Sequence, residues 1–137
     1  MNGKKILLVE DDRDDLELTL RTLQKSPGGY ELTVVRDGLA ALDYLFGTGR
    51  FAEKPGELPA LVLLDLNLPK LSGLEVLRKI KSDERTRSIP VAVLTSSEWD
   101  LLSSESVRLG AAACLVKPVE RDTVEQLGAK LKIPGWG

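Results

Sequence analysis

The sequence predicts an α/β domain built on a doubly wound sheet of five parallel strands, and three observations carry that expectation. Short apolar runs alternate five times with stretches whose leucines recur at helical spacing. The runs are apolar at nearly every position instead of every second one, as strands covered on both faces are. Parallel neighbours need helical crossovers, and these are right-handed. At 137 residues the chain has room for one domain with a real core and not for two of typical size. We therefore expect a single domain over 1–137, with its core over about 4–131 and a tail at 132–137.

The elements follow in order. Residues 4–9 form the first strand, which ends in Glu10, Asp11 and Asp12. Leu16, Leu20 and Leu23 mark the first helix, and residues 26–29 end it. The plainer reading of Asp14 and Asp15 is as helix-start acids favoured by the dipole, without a chemical role. The second strand is Glu31 to Val35, and Asp37-Gly38 turns into a helix with Leu39, Leu42, Leu45 and Phe46 on one face. Gly47 to Pro59 is long for a helix-to-strand connection, and reads as a surface loop or a partner contact.

The third strand, Ala60 to Leu64, stops at Asp65, where packing alone offers no reason for a charge. Asn67, Pro69 and Gly73 fit a tight loop, and Ser72 with Glu75 makes a capping box for a helix carrying Leu74, Leu77 and Ile80. A polar turn over Ser82 to Ser88 leads to the fourth strand, Pro90 to Leu94, which ends in Thr95. The fourth helix spans about Trp99 to Leu109 and is stopped by Gly110. The fifth strand, Ala112 to Val116, ends in Lys117-Pro118, and the last helix, Glu120 to Leu131, turns Val124, Leu127 and Leu131 inward.

Composition narrows the function. A net charge of −2 without a basic cluster leaves no electrostatic footprint for DNA. No apolar segment approaches the length of a membrane span, and no signal-peptide pattern is present. The single cysteine, Cys114, excludes an internal disulfide and fits a reducing cytoplasm. The absence of histidine excludes Ser–His and Cys–His catalytic pairs and histidine-ligated zinc.

The polar strand ends carry the chemistry. In doubly wound sheets ligands bind outside the carboxyl ends of the strands, where Glu10, Asp11, Asp65, Thr95 and Lys117 all fall. Carboxylates about 4 Å apart repel by roughly 4 kcal/mol per pair at an effective dielectric near 20. Either one is protonated or a cation sits among them. An all-oxygen donor set suits Mg2+. Aspartate can attack a phosphoryl group to give an acyl phosphate, and transfer then needs positive charge and donors around the phosphoryl oxygens. Mg2+, the Lys117 ammonium and the Thr95 hydroxyl would supply them.

The motifs Leu-Leu-Val-Glu10-Asp11, Leu-Leu-Asp65-Leu-Asn67-Leu-Pro69 with Gly73, Val-Leu-Thr95 and Leu-Val-Lys117-Pro118 together resemble the response-regulator receiver domain of bacterial two-component signalling. The resemblance implies a flavodoxin-like (βα)5 fold with strand order 2-1-3-4-5. It also implies that Asp65 accepts a phosphoryl group from the phosphohistidine of a partner sensor histidine kinase or from a phosphotransfer protein. Mg2+ would be held by Asp11, Asp65 and the Asn67 main-chain carbonyl, with Glu10 acting through water. Lys117 would contact the phosphoryl oxygens, the Lys117–Pro118 bond would be cis, and Thr95 would swing towards the phosphoryl group.

Two positions depart from the family pattern. Cys114 stands where the family usually carries the Tyr or Phe whose rotation is coupled to the threonine. The Gly47–Pro59 insertion resembles single-domain receivers that pair with phytochrome-type kinases, some of which form homodimers. The expected protein is thus a stand-alone phosphoacceptor in the cytoplasm that signals by conformational change or onward phosphotransfer, and not an output enzyme. Two alternatives stay open. One is a receiver-like interaction module that phosphorylation does not regulate. The other is an aspartate-nucleophile phosphohydrolase of the haloacid-dehalogenase type, against which Asn67 counts, because that chemistry wants an acid there.

Overall fold

In the computed structural model, which describes residues 5–24, 31–49, 58–68, 70–96 and 101–132, each apolar run forms a strand and each amphipathic stretch a helix. The order is β1 (Lys5–Val9), α1 (Arg13–Gln24), β2 (Glu31–Val35), α2 (Gly38–Phe46), β3 (Leu61–Asp65), α3 (Gly73–Ser82), β4 (Val91–Thr95), α4 (Leu101–Arg108), β5 (Ala113–Val116) and α5 (Arg121–Leu131). The strands form one parallel sheet in the order β2-β1-β3-β4-β5, which agrees with the expected doubly wound, flavodoxin-like arrangement. Among the described residues no helix is long and apolar enough to cross a membrane.

The strands split the core into two layers because successive side chains leave opposite faces. Leu7, Val9, Val62, Leu64, Val91 and Val93 pack under α2 and α3, with Ala41, Leu45, Val76, Leu77 and Ile80. Ile6, Leu8, Leu61, Leu63, Ala92 and Leu94 pack under α1 and α5, with Leu16, Leu20, Leu23, Val124, Leu127 and Leu131. Helices one and five therefore share a face although nearly the whole chain separates them.

One expectation shifts. Leu39 is half exposed; Gly38, Ala41 and Leu45 form the buried stripe of α2 instead. The cause is Gly38, where a Cβ would meet the Leu71 carbonyl oxygen at 2.5 Å, so this edge of the helix lies against the loop before α3. The fourth helix is described from Leu101, and Trp99 lies outside the described residues, as do Pro69, most of the Gly47–Pro59 loop and the tail from Ile133. The start of that loop is built to turn: Gly47 caps α2 in the left-handed region at φ 67°, and Thr48 donates a hydrogen bond to Asp43.

Candidate functional site

The site forms where the carboxyl ends of β1, β3, β4 and β5 open at one edge of the sheet. Glu10 follows β1 and is still held to the sheet, its N–H donating to the Val35 carbonyl at 3.1 Å. Its side chain has no solvent exposure. One carboxylate oxygen, Oε2, accepts from the Asp12 N–H at 3.1 Å, and Oε1 faces the Lys117 ammonium at 3.3 Å.

Arg36, just past the end of β2, fixes this acidic loop from outside. Its Nε donates to the Glu10 carbonyl at 3.0 Å and its Nη2 to the Asp11 carbonyl at 2.6 Å. No local motif marks Arg36. Its signal is its place at a strand end beside an acidic strand end.

Asp65 is the last residue of β3, paired with Leu94, and only 2% exposed. Its Oδ1 accepts from the Asn67 N–H at 3.0 Å, an Asx turn that aims the carboxylate, and its Oδ2 lies 3.0 Å from Lys117 Nζ. The loop then returns so closely that a Cβ at Gly73 would collide with the Asp65 carbonyl oxygen and would lie 2.6 Å from Leu66 Cα. Ser72 caps α3, its Oγ accepting from the Glu75 N–H at 3.3 Å, as the capping signal predicts. Thr95 ends β4 and is buried, and its carbonyl accepts from the Lys117 N–H at 2.8 Å, which sets Lys117 beside it. The Lys117–Pro118 bond is cis, as expected.

Lys117 is no solvated surface lysine. Its side chain is 10% exposed and its ammonium meets three carboxylates: Asp15 at 2.8 Å, Asp65 at 3.0 Å and Glu10 at 3.3 Å. Asp15 is a correction. Read as a plain helix-start acid, it instead makes the shortest of these contacts, because α1 and α5 pack on one face and bring the first turn of α1 beside the end of β5.

The charges do not balance. Burial first, then the hydrogen bond and charge of Asp65, push the Glu10 carboxyl up from 4.5 to about 8. Burial alone would pull the Lys117 ammonium down; the hydrogen bonds to Asp15 and Asp65 and the charges of Asp65 and Glu10 reverse that and hold it above the ordinary lysine range.

An all-oxygen site with a strained buried carboxylate fits a hard divalent cation. Glu10, Asp65, the neighbouring Asp11 and the Asn67 carbonyl could hold it. Asp11 and Asn67 lie at the exposed rim, and among the described residues no three carboxylates form a finished cage. The structure thus brings Glu10, Asp65 and Lys117 into direct contact, with Thr95 at the neighbouring strand end. Cys114 is half-buried in β5, opposite Val93 and against the α2–α3 layer of the core.

The comparisons with known proteins agree with this geometry. The response regulator receiver domain matches residues 6–128. Response regulator Rcp1 of Synechocystis sp. is 47% identical over 103 residues, covering 74% of this chain and 69% of Rcp1. A structure of Rcp1 described as its Mn(2+)-bound form superposes with a TM-score of 0.79 at 37% identity, covering 95% of this chain and 93% of that one. The bacteriophytochrome response regulator AtBRR superposes with a TM-score of 0.89 at 47% identity, covering 97% of this chain and 95% of that one. The phosphorylated cyanobacterial phytochrome response regulator RcpA superposes at 0.78 with 38% identity, over 96% of this chain and 89% of RcpA. The chain belongs to the response regulator receiver domain family.

Proposed function

We propose that the chain is a single-domain phosphoacceptor of the cytoplasm whose Asp65 takes a phosphoryl group from the phosphohistidine of a sensor histidine kinase, in a Mg2+-dependent reaction. The observation that carries this is the buried Lys117 ammonium seated between Glu10 and Asp65 at 3.3 and 3.0 Å, in the crevice of the sheet where such folds bind ligands. In the reaction a carboxylate oxygen of Asp65 forms a bond to phosphorus as the bond from phosphorus to the donor's imidazole nitrogen breaks, and the electron pair stays on that nitrogen. Mg2+ would supply charge neutralisation for the transferred group and relieve the crowding of carboxylates; Asp11, Asp65 and the Asn67 carbonyl would hold it, with Glu10 acting through water. Asn67 N–H orients Asp65, Lys117 donates to a phosphoryl oxygen, and the Thr95 hydroxyl turns towards the new group and shifts the face around α4.

The likeness to phytochrome-associated regulators supports a phytochrome-type kinase as the donor. The test is intact mass after incubation with acetyl phosphate, with Mg2+ and then with excess EDTA. We expect a gain of about 80 Da, one phosphoryl group, that needs Mg2+ and is absent in Asp65→Asn. An unchanged gain in Asp65→Asn would remove the acceptor assignment. Steady phosphate release without a gain would favour the hydrolase reading, and neither gain nor release the unregulated module.

A further inference from the structure

An ammonium has three N–H donors, and at Lys117 three carboxylates take them: Asp15 Oδ2 at 2.8 Å, Asp65 Oδ2 at 3.0 Å and Glu10 Oε1 at 3.3 Å. No donor remains for a further oxygen while all three contacts persist. One contact has to be given up before Lys117 can hold a phosphoryl oxygen.

Burial decides which. The side chains of Glu10 and Asp65 are 0% and 3% exposed, so an oxygen of either that Lys117 leaves stays buried without water, and a buried acceptor left without a donor is costly. The Asp15 side chain is 34% exposed and can be rehydrated where it stands. It also sits on a different element, α1, whose position against the Lys117–Pro118 segment is set by a second contact: Thr22 Oγ1 donates to the Val119 carbonyl at 2.8 Å. The Asp15–Lys117 pair is therefore held in register by the fold and is not a chance meeting of two long side chains.

We propose that Asp15 is a positioning residue that holds Lys117 while Asp65 is unmodified and is exchanged for a phosphoryl oxygen when Asp65 is loaded. The exchange rests on the reading of Asp65 as acceptor. Asp15 competes with the phosphoryl group for one donor, so the apparent affinity for that group is lowered by the fraction of molecules in which Lys117 is engaged. Removing the carboxylate lifts this penalty, while Glu10 and Asp65 keep the ammonium in place.

The test is calorimetric titration of the full chain with beryllofluoride, a tetrahedral phosphoryl analogue, at saturating Mg2+. Asp15→Asn, the same shape without the charge, is expected to bind roughly five- to tenfold more tightly, the size of one charge-assisted hydrogen bond at a partly exposed site. Asp15→Glu, which keeps the charge, is expected to stay within about twofold of the wild type. If Asp15→Asn folds poorly, Asp15→Ser carries the same expectation. A role confined to helix capping would lower the thermal midpoint of Asp15→Asn and leave the beryllofluoride affinity unchanged or weaker; that result overturns the exchange and leaves the acceptor assignment standing. Absence of binding to the wild type overturns both.

Discussion

Two lysines of this chain are withdrawn from solvent at opposite ends of the sheet, and their ammonium groups sit in contrasting company. Lys81, in the last turn of α3, donates to the backbone carbonyls of Arg87 at 3.0 Å and Ile89 at 2.8 Å, and burial pulls its pKa below the ordinary value. It ties the turn after α3 to the end of the helix. Lys117, past the end of β5, meets three carboxylates, and its pKa is held up despite burial. Carbonyl dipoles satisfy a donor without asking for a charge, so the Lys81 end is settled. Carboxylates in excess of the ammonium leave net negative charge in a low-dielectric place, which fits the cation and the transferred group of the proposed function.

Replacing each lysine by methionine separates the two ends most strongly. Lys117→Met leaves Glu10 and Asp65 buried without a counter-charge and is expected to cost about 3 kcal/mol at pH 8 in metal-free urea unfolding. At pH 5 the cost shrinks, because Glu10 then carries its proton. Lys81→Met loses two hydrogen bonds from a charged donor and is expected to cost about 2 kcal/mol, equally at both pH values. Equal pH dependence in the two variants would break the contrast.

Glu10→Gln sharpens it from the other side. The folded chain binds the Glu10 proton more tightly than the unfolded chain, with a pKa near 8 against 4.5. Its contribution is therefore complete below about pH 4.5 and is lost as pH rises through about 8. The metal-free wild type should lose stability across that window, and Glu10→Gln should flatten the loss. At pH 8 the variant should melt higher by about 3–5 °C, the shift that roughly 1 kcal/mol makes in a domain of this size. A lower midpoint at pH 8 would mean that Glu10 stabilises the empty site.

The smallest effect belongs to the settled end. Thr86 is buried and its hydroxyl donates to the Ile80 carbonyl at 2.6 Å. Thr86→Val is expected to cost about 1 kcal/mol and to leave phosphoryl uptake from acetyl phosphate within twofold of the wild type. A large loss of uptake would show that the two ends are coupled.

Much of this was legible before any coordinates. Runs such as Leu61–Asp65 and Val91–Thr95 are buried along their full length, so their periodicity announced strands covered on both sides. The polar residues that close them, Glu10, Asp65, Thr95 and Lys117, were visible because a charge or hydroxyl ending an apolar run has no packing reason to be there. The Ser72 cap was equally local, its side chain accepting from the N–H three residues on.

What stayed hidden was partnership between distant segments. Nothing within the first helix distinguishes Asp15, which pairs with Lys117, from Asp14, which the fold leaves exposed. That Leu39 faces solvent depends on a contact between Gly38 and the Leu71 carbonyl, and Arg36 gains its role only because β2 lies beside β1. The sequence by itself determined the strands, the helices and the polar strand ends, since spacing along one chain segment decides which residues share a face. Only the tertiary structure decided which acid holds Lys117 and how deeply Glu10 is buried. Those depend on packing between elements as much as 107 residues apart, and electrostatic energy depends on distance in space, not along the chain.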